Sequence, residues 1–578
     1  MLNLVHGIDA NQPGLCAPKY RKAGKDGMTN RNTTTVRFGD YIQPVENLNG
    51  PKLEGYTDKL SVEPGEKIGF HISTSLPSYS VEIARLGAAR EAVWSTEDVP
   101  GAEHAIPDDA SSHGCHWPSA LHMTVPKGWR SGYYHVNLNG LDEKGQMVYG
   151  QLSFVVRPAE PGRDTTILLQ RTTNTDNAYN AWGGTTLYNG PNGPGRRVSF
   201  DRPFAGFPGC ERYIGSIPAI STNGPTEHCL SDEFTESIAS LGITLSPFHS
   251  VQIVDPNIRW HILDAGNTFT FQRKDAEIHV YDGFTTWQSN WHHWEQHFVR
   301  WAEFAGYQID YAVNSDLEFH PELLRSYRLV LSIGHDEYWS SPMRDHLEDY
   351  ITNGGNVAFL SGNTAWWQVR SEDDGRALVC WKDDYQNDPI VRTGDHNLLS
   401  TIWCHHMIGR PENNLTGVSF AYGGYSNFFD QYRAGPWGYT VHRPEHWIYD
   451  GTGLKQGDLF GDKHKIVNYE CDGCDFDIKN GIPVPTYRDG TPETFQILGS
   501  APAGLSSADN SLEIASQALY GHESSTRKIK QPGAAVLGTY NRGGTVVTTG
   551  CTDWVSGLKY TDPHVVQITH NILKTLSL

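Results

Sequence analysis

The sequence has a deficit of positive charge and lacks any long apolar run. Lys and Arg number 46 against 66 Asp and Glu, so the formal net charge is −20. Nucleic-acid binding needs a concentrated cationic surface, and no basic run supplies one, so nucleic acid is excluded as a partner. No segment reaches the roughly 18 apolar residues that a membrane helix requires, so no membrane association is expected.

Cysteine is also scarce. The nine cysteines are an odd number spread over 578 residues, which favours reduced thiols over a disulfide framework. The N-terminal residues lack a charged segment followed by an apolar core, so no secretory signal is predicted. These two features predict a cytoplasmic protein. A chain of this length exceeds what a single hydrophobic core accommodates, so two or three domains are expected.

Three regions differ in their hydrophobic pattern. Residues 1–50 are polar and weakly periodic, which predicts an irregular segment. Residues 51–157 alternate short apolar strands with turn signals, which is typical of a β-sandwich of immunoglobulin-like size. Residues 158–578 alternate strands and helices and predict a mostly parallel α/β domain. Inside it, residues 205–275 show no clear period and predict an insertion.

A strand–helix–strand unit in the α/β region has an unusual turn. Residues 329–333 and 357–360 predict buried strands, and Gly334 predicts a sharp turn into the helix between them. Such turns often carry a Ser or Cys nucleophile, but this one carries His335 and Glu337. Because open α/β sheets place their chemistry at the carboxyl ends of strands, these two residues are candidate site residues. The alternative is a structural pair at a helix N-terminus, where the helix dipole favours a carboxylate.

The preceding helix contains two histidines one turn apart. Its predicted buried face comprises Trp294, Phe298, Trp301 and Phe304 or Ala305. His293 and His297 lack the glutamate of an HExxH zinc motif, so we expect them on the solvent face.

Two cysteine groups are candidate zinc sites. Cys471 and Cys474 form a lone CxxC, whereas a structural zinc site needs a second pair of ligands. Cys404, His405 and His406 are adjacent, so their side chains diverge. Zinc is therefore not predicted.

A polar, glycine-rich loop follows the first strand of the α/β domain. Its sequence, TTNTDNAYNAWGGTTLYNG (172–190), contains Tyr179 and Tyr188. It lies at the carboxyl end of a strand in the sheet that also ends in His335 and Glu337. Loops of this composition are typical of a close approach to a ligand or metal.

Seven segments resemble the large (beta) subunit of the N,N-dimethylformamidase family. They are the AYN…GG…LY loop, VSFDRP (198–203), GHDEYWS (334–340), GGNVAFLSGNTAWW (354–367), NNLTGVSFAYGG (413–424), IVNYECDG (466–473) and GTVVTTGCTDWVSGL (544–558). Together they span most of residues 165–578. The resemblance implies a catalytic domain with a class I glutamine-amidotransferase-like α/β fold that has lost the usual cysteine.

The resemblance also implies a mononuclear iron, Fe³⁺, held by two tyrosine phenolates and one glutamate. The corresponding residues are Tyr179, Tyr188 and Glu337, with Tyr338 as the alternative to Tyr188. Three hard anionic oxygens suit trivalent iron better than zinc or copper. A phenol with an ordinary pKa near 10 would have to ionise, which a strongly charged metal enforces.

The implied activity is hydrolysis of a small N-substituted amide by iron-activated water, without an acyl-enzyme. His335 would orient that water or relay its proton, and Asn363 would donate to the developing oxyanion. Glu470 would act as general acid or base, with a structural carboxylate as the alternative. The resemblance further implies a homo-oligomer and allows for a small accessory subunit.

Two other functions stay open. The first is a non-catalytic carbohydrate-binding protein, whose aromatic platforms would be Trp366, Trp367, Trp287, Trp291 and Trp294. The second is a catalytically inactive amidotransferase-like scaffold. Stoichiometric iron would separate the enzyme from both.

Overall fold

The computed structural model describes residues 52–180, 182–188, 193–204, 291–426, 436–505 and 510–578, together with seven strands outside these ranges. These strands are Thr34–Arg37, Ile42–Glu46, Ile243–Leu245, Ser250–Ile253, Arg259–Ile262, Thr268–Arg273 and Ala276–Asp282. The first two pair with Ser250–Ile253 and Ala276–Asp282, respectively. Strands therefore occur within residues 1–50, for which the sequence predicts an irregular segment, and within the predicted insertion at residues 205–275. The rest of both segments lies outside the described residues.

Residues 53–156 form two facing sheets. The three-stranded sheet has the order Leu53–Thr57, Lys67–Thr74 and Leu121–Thr124. The five-stranded sheet has the order Ser61–Val62, Met147–Val156, Gly132–Leu141, Ser78–Leu86 and Arg90–Pro100, and a short helix, Ala110–His113, lies between strands in the chain. Both sheets contribute to one apolar cluster, in which Phe70 and Ile72 of the first meet Val81, Val136 and Phe154 of the second. Burial alternates along parts of Ser78–Leu86 and Met147–Val156, as expected for strands with one face in this core.

A nine-stranded sheet organises the rest of the chain. Its strands, labelled in chain order, are β1 (Ile167–Arg171), β2 (Asp310–Val313), β3 (Leu329–His335), β4 (Asn356–Gly362), β5 (Tyr439–Val441), β6 (Leu459–Phe460), β7 (Gln496–Ala503), β8 (Gly533–Arg542) and β9 (Gly544–Thr548). The order across the sheet is β2-β1-β3-β4-β9-β8-β7-β5-β6. The first five strands are mutually parallel, and the pairs from β9 to β6 are antiparallel. The domain is thus built on a mixed sheet that is parallel over one half, rather than on the mostly parallel sheet that the sequence predicts.

Helices cover both faces of this sheet. They are α1 (Thr173–Tyr179), α2 (Gln296–Phe304), α3 (Asn314–Phe319), α4 (Ser341–Thr352), α5 (Trp554–Lys559) and α6 (Pro563–Leu576), with Asn413–Thr416 and Ser511–Tyr520 at the periphery. α2, α5 and α6 pack on one face, and α4 packs on the other. Coverage on both sides explains why every residue of β1 and β3 is buried.

The helix that includes α2 departs from the predicted pattern. It opens with a π-helical turn, Trp291–Glu295, in which His293 is buried. The solvent-face prediction is therefore wrong for His293, whereas His297 is half-buried. Phe304 is 89% exposed rather than buried. It follows Phe298 by six residues, which at 3.6 residues per turn places it about 120° away around the helix.

The segment after β3 also differs from the predicted sharp turn. β3 continues through Gly334 to His335, and a further strand, Tyr338–Ser340, precedes α4. Gly334 has a φ of 80°, and a Cβ there would lie 2.4 Å from the Cβ of Trp294. A side chain at this position is therefore excluded. Because α4 starts at Ser341, Glu337 does not lie at a helix N-terminus.

Small sheets adjoin the carboxyl edge of the parallel strands. Four strands form one of them in the order Arg197–Ser199, Ala377–Val379, Trp367–Glu372 and Tyr338–Ser340. Two pairs complete the set, Ser419–Tyr425 with Glu470–Gly473 and Phe476–Lys479 with Ile482–Pro485. Within the described part of the chain, every helix is too short or too polar to cross a membrane.

Two ion pairs join the sandwich to the α/β region. Arg157 Nη1 lies 2.9 Å from Asp316 Oδ1, and both side chains are buried. Ser61 Oγ donates to the same oxygen at 2.6 Å. A second pair links Arg85 Nη2 to Glu303 Oε1 at 2.6 Å. The two units are thus held by charge-assisted contacts as well as by apolar packing.

Replacing Arg157 by Met should destabilise the protein by about 3 kcal/mol, because Asp316 would remain buried without its cation. Urea unfolding would measure the change. Arg163→Met is the matched control, since Arg163 is exposed and pairs with Glu160 and Asp164 at the surface. Its effect should be much smaller, because exposed ion pairs contribute little to stability. Equal losses in the two variants would contradict a structural role for the Arg157–Asp316 pair.

Candidate functional site

The carboxyl ends of the parallel strands bring the predicted residues together. α1 follows β1 and carries Tyr179, and the segment after β3 carries Glu337. Asn363 directly follows β4 and has a φ of 49°. Glu470 enters from the neighbouring strand pair. All four side chains are buried.

Three oxygen-bearing side chains converge on one point. Tyr179 Oη donates to Glu337 Oε2 at 2.9 Å, and Tyr188 Oη donates to Glu337 Oε1 at 2.8 Å. The two phenol oxygens are themselves 2.7 Å apart, and their rings stack with centroids separated by 4.4 Å. The two phenol oxygens and the Glu337 carboxylate, which uses a different oxygen for each contact, therefore form a closed set of three contacts, called here the oxygen triangle.

Tyr338, the alternative ligand, lies one step further out. Its Oη donates to Tyr188 Oη at 2.7 Å. It thus reaches the carboxylate of Glu337 through Tyr188. This geometry favours Tyr188 over Tyr338 as the residue beside Glu337.

His335 links two carboxylates. Its Nε2 lies 2.8 Å from Glu470 Oε2 and 3.3 Å from Glu337 Oε2. The Asn363 side chain donates to Glu470 from the other side. Asn363 Oδ1 has no partner among the described residues. The three predicted catalytic residues, His335, Asn363 and Glu470, are therefore adjacent, and His335 connects them to Glu337.

Burial and local charge shift the titration of these groups in different directions. Burial opposes ionisation of Glu337, but the hydrogen bond and charge of His335 hold its pKa below the usual range. Burial alone would lower the pKa of His335, yet the charges of Glu470 and Glu337 raise it to about 10. Burial raises the pKa of Glu470 despite the opposing His335. Burial and the charge of Glu337 raise the pKa of Tyr179 and Tyr188 well above normal.

Further hydrogen bonds fix the carboxylate and its backbone. Trp367 Nε1 donates to Glu337 Oε1 at 2.8 Å, and the Glu337 amide donates to Thr175 Oγ1 at 2.9 Å. The preceding Asp336 accepts from Ser332 Oγ at 2.7 Å and from Gln170 Nε2 at 3.1 Å. These contacts tie the segment to β1, α1 and β3 at once.

Sequence reasoning missed the cation beside the oxygen triangle. Lys382 Nζ lies 3.0 Å from the ring centroid of Tyr188, 4.7 Å from that of Trp367 and 5.2 Å from that of Tyr338. Burial lowers its pKa to about 8. A lone lysine in CWKDDY carries no motif, so no sequence signal distinguished it. Tyr469 was also missed, although its ring lies 6.1 Å from that of His335 and it precedes Glu470.

The described tryptophans that were candidate sugar-binding platforms are not exposed at the surface. Trp366, Trp367, Trp291 and Trp294 are all at least 94% buried. Trp366 packs on Phe420, and Trp367 Nε1 donates a hydrogen bond to Glu337. Trp287 lies outside the described residues. The described tryptophans are therefore core residues, which removes the support for the carbohydrate-binding alternative.

The cysteine groups likewise carry no metal site in the described chain. Cys471 Sγ lies 4.0 Å from Cys551 Sγ, and Cys471, Cys474 and Cys551 are all free buried thiols. Among the described residues, no group of three or more His, Cys, Asp or Glu side chains is arranged to hold a metal ion.

Comparison with known families identifies the relatives of this chain. The family described as "N,N-dimethylformamidase beta subunit-like, C-terminal" matches residues 80–567. The chain belongs to this family. The resemblance predicted from seven short segments is thereby confirmed, and the match begins inside the sandwich.

Individual relatives match over shorter stretches. The N,N-dimethylformamidase beta subunits of an Alcaligenes species and of Paracoccus aminophilus are each 30% identical over 18% of this chain and 18% of their own. The chain thus covers under a fifth of the length of these curated relatives. The solved structure of CopC from Methylosinus trichosporium OB3b matches 19% of this chain and 97% of its own, with 18% identity. Its TM-score of 0.13 is too low to support any conclusion.

Trp367→Phe should cost more stability than Trp403→Phe. Both indoles are buried and face a cation, but only the Trp367 N–H has a partner, the carboxylate of Glu337. Trp403 Nε1 has none in the described structure. Losing a hydrogen bond to a charged group should make the difference about 1.5–3 kcal/mol, as measured by urea unfolding. If the two variants unfold alike, Glu337 does not depend on this donor.

Proposed function

We propose that this protein hydrolyses a small N-substituted amide at a mononuclear ferric site held by Tyr179, Tyr188 and Glu337. The observation that carries the proposal is the oxygen triangle, in which the Tyr179 and Tyr188 oxygens lie 2.7 Å apart and contact the two carboxylate oxygens of Glu337 at 2.9 and 2.8 Å. Membership of a family described as N,N-dimethylformamidase beta subunit-like supports the amide as substrate class. The names of the curated relatives support it as well.

The donor set fits a hard trivalent ion. The two phenol oxygens and the Glu337 carboxylate lie 2.7–2.9 Å from one another, close enough for all three side chains to bind one ion. The three groups supply only oxygen, the donor type that hard cations prefer. Their two phenol protons are the groups that such an ion would displace. Trp367 and Thr175 already hold Glu337 in place without occupying the triangle.

When bound, the ferric ion would supply Lewis acidity for the amide carbonyl and for water. The residues beside it would transfer the protons. Glu470, with its raised pKa, would take a proton as water attacks the carbonyl carbon. His335, 2.8 Å from Glu470, would orient this carboxylate. The same proton would return to nitrogen as the C–N bond breaks, which releases the amine and the carboxylic acid. The acid then ionises and gives its own proton to the amine or to solvent.

Asn363 would hold the oxyanion. One of its two N–H groups is used by Glu470, which leaves the second to donate to the developing negative charge. The buried Lys382 adds positive charge close to the Tyr188 ring. It would stabilise a phenolate there, because a cation over an aromatic face is attracted to its negative charge.

The absence of a Ser or Cys between His335 and Ser340 supports direct attack by water rather than an acyl-enzyme. The parallel arrangement of β1, β3 and β4, with the site at their carboxyl ends, supports a glutamine-amidotransferase-like domain. The proposal also includes an immunoglobulin-like form of the sandwich, a homo-oligomer, a small accessory subunit and a cytoplasmic location.

The purified protein should contain one iron per chain and be coloured. Ferric ion bound to phenolate gives a ligand-to-metal charge-transfer band in the visible spectrum. Elemental analysis and an absorption spectrum of protein from iron-replete cells would measure both. A colourless, iron-free preparation would refute the ferric site.

Tyr188→Phe should bleach this band, whereas Tyr338→Phe should leave most of it intact. The two tyrosines stand 2.7 Å apart at their oxygens, but only Tyr188 contacts Glu337. The pair is a matched control because each variant removes one buried hydroxyl. Bleaching by Tyr338→Phe alone would assign the second phenolate to Tyr338 instead.

Glu337→Ala should lose iron and amide hydrolysis together, since it removes the carboxylate corner of the triangle. Hydroxylamine should trap no acyl intermediate in the unsubstituted protein, and no burst should precede the steady state. The assay is amine release from a series of small N-substituted amides. Hydrolysis that survives in iron-free Glu337→Ala protein would show that the reaction does not depend on this site.

A further inference from the structure

Asp472 is a buried carboxylate that has no part in the chemistry proposed above. It lies two residues after Glu470 on the strand Glu470–Gly473, and its side chain is fully buried. Both of its oxygens accept from backbone amides, and no ion pair to it occurs within the described residues. Burial raises its pKa to about 8. A buried acid without a cation is costly to the fold, and groups of this kind are concentrated at functional sites.

The two amides that donate to Asp472 belong to the turn after β4. Asn363 N donates to Asp472 Oδ1 at 3.0 Å, and Thr364 N donates to Asp472 Oδ2 at 3.1 Å. Asn363 is the residue proposed above to hold the oxyanion. One carboxylate therefore fixes two consecutive peptide units, and the direction in which the Asn363 side chain leaves the backbone depends on them.

The backbone of this turn is strained. Asn363 has a φ of 49° and Ala365 a φ of 54°, so both lie in the left-handed region. Asn tolerates this region, but the Cβ of Ala comes too close to the following carbonyl oxygen. A turn of this form persists only when the surrounding structure holds it in place. The two hydrogen bonds to Asp472 are among the contacts that do so.

The strand Glu470–Gly473 holds Asn363 at two points. Glu470 accepts from the Asn363 side chain, whereas Asp472 accepts from its backbone. Residues two apart on a strand point to the same face, so both acids face the end of β4. The strand can approach so closely because β4 ends in Gly362, where a Cβ would lie 2.5 Å from the carbonyl oxygen of Glu470.

We propose that Asp472 is a positioning residue for amide hydrolysis, which fixes the backbone of Asn363 so that the Asn363 side chain can donate to the developing oxyanion. This inference rests on the function proposed above. Asp472 itself neither contacts the substrate nor exchanges a proton with it. It keeps the donor in one geometry before the transition state forms, and a donor placed in advance needs no rearrangement during the reaction.

Asp472→Asn tests the proposal, because it keeps the size of the side chain but only one acceptor oxygen. Its amide NH₂ would face a backbone N–H, so one of the two hydrogen bonds is lost. For the hydrolysis of small N-substituted amides, kcat should fall roughly 10- to 100-fold, since a displacement of about 1 Å can cost as much. KM should stay within about twofold, because the oxyanion contact is made only in the transition state. Iron content and the charge-transfer band should not change.

Asp489→Asn is the matched control. Asp489 is also buried, and it likewise accepts from two backbone amides, those of Asp475 at 2.6 Å and Thr491 at 3.1 Å. Both variants therefore lose an acceptor for a backbone amide, but only Asp472→Asn affects the turn that carries Asn363. Only Asp472→Asn should lower kcat. An unchanged kcat in Asp472→Asn, or equal losses in the two variants, would overturn the proposal.

A double-mutant cycle separates positioning from a general structural role. In Asn363→Ala protein the side-chain donor is absent, so adding Asp472→Asn should lower kcat by less than about twofold further. A residue with only a structural role would lower kcat by the same factor in both backgrounds. Additive effects would therefore refute the proposal.

Hydrogen exchange provides a readout that requires no hydrolysis. The backbone amides of Asn363 and Thr364 should exchange faster in Asp472→Asn than in the unsubstituted protein. If the unsubstituted protein hydrolyses no small amide, the proposed function fails and this inference fails with it. Hydrolysis together with unchanged exchange at these two amides would refute the positioning alone. Asp472→Ser, which is smaller and keeps one acceptor, replaces Asp472→Asn in every measurement if that variant does not fold.

Discussion

A single buried carboxylate, that of Glu337, determines how the surrounding segments are placed. Burying a carboxylate without donors costs several kcal/mol, so the fold must bring donors to it. They arrive from α1, from the loop after α1 and from the strand after β4, as Tyr179, Tyr188 and Trp367. These segments also share one apolar cluster, which includes Tyr179, Leu187 and Trp367. Their arrangement around Glu337 is therefore a shared solution to one desolvation problem.

The adjacent Asp336 has the opposite role. Consecutive side chains in an extended segment point to opposite sides, so Asp336 turns inward while Glu337 faces the site. Asp336 is satisfied by Ser332, Gln170 and Asn314, which lie on β3, on β1 and after β2. Burial raises its pKa to about 6. Asp336 thus links three parallel strands by hydrogen bonds, whereas Glu337 faces the candidate active site.

The sequence predicted strands such as β1, β3 and β4, because a continuous apolar run is typical of a strand that is buried on both faces of a parallel sheet. It also predicted the residues that meet at Glu337, because the motifs carry them in a fixed order. It did not predict the π-helical turn at Trp291 or the strand Tyr338–Ser340, since both depend on distant packing partners. Lys382 was not predicted for the same reason. A buried cation of this kind is recognised only from the aromatic rings that surround it in the structure.

The contact between Arg157 and Asp316 bears on how such proteins can be divided and recombined. Asp316 also caps its own helix by accepting from the amide of Val313 at 2.8 Å. A chain that began at residue 158 would keep this acid and lose both Arg157 and Ser61, which satisfy its other oxygen. The α/β region is therefore poorly suited to exchange its neighbouring sandwich for an unrelated module. A successful chimaera would have to inherit a basic residue at this point together with the sandwich.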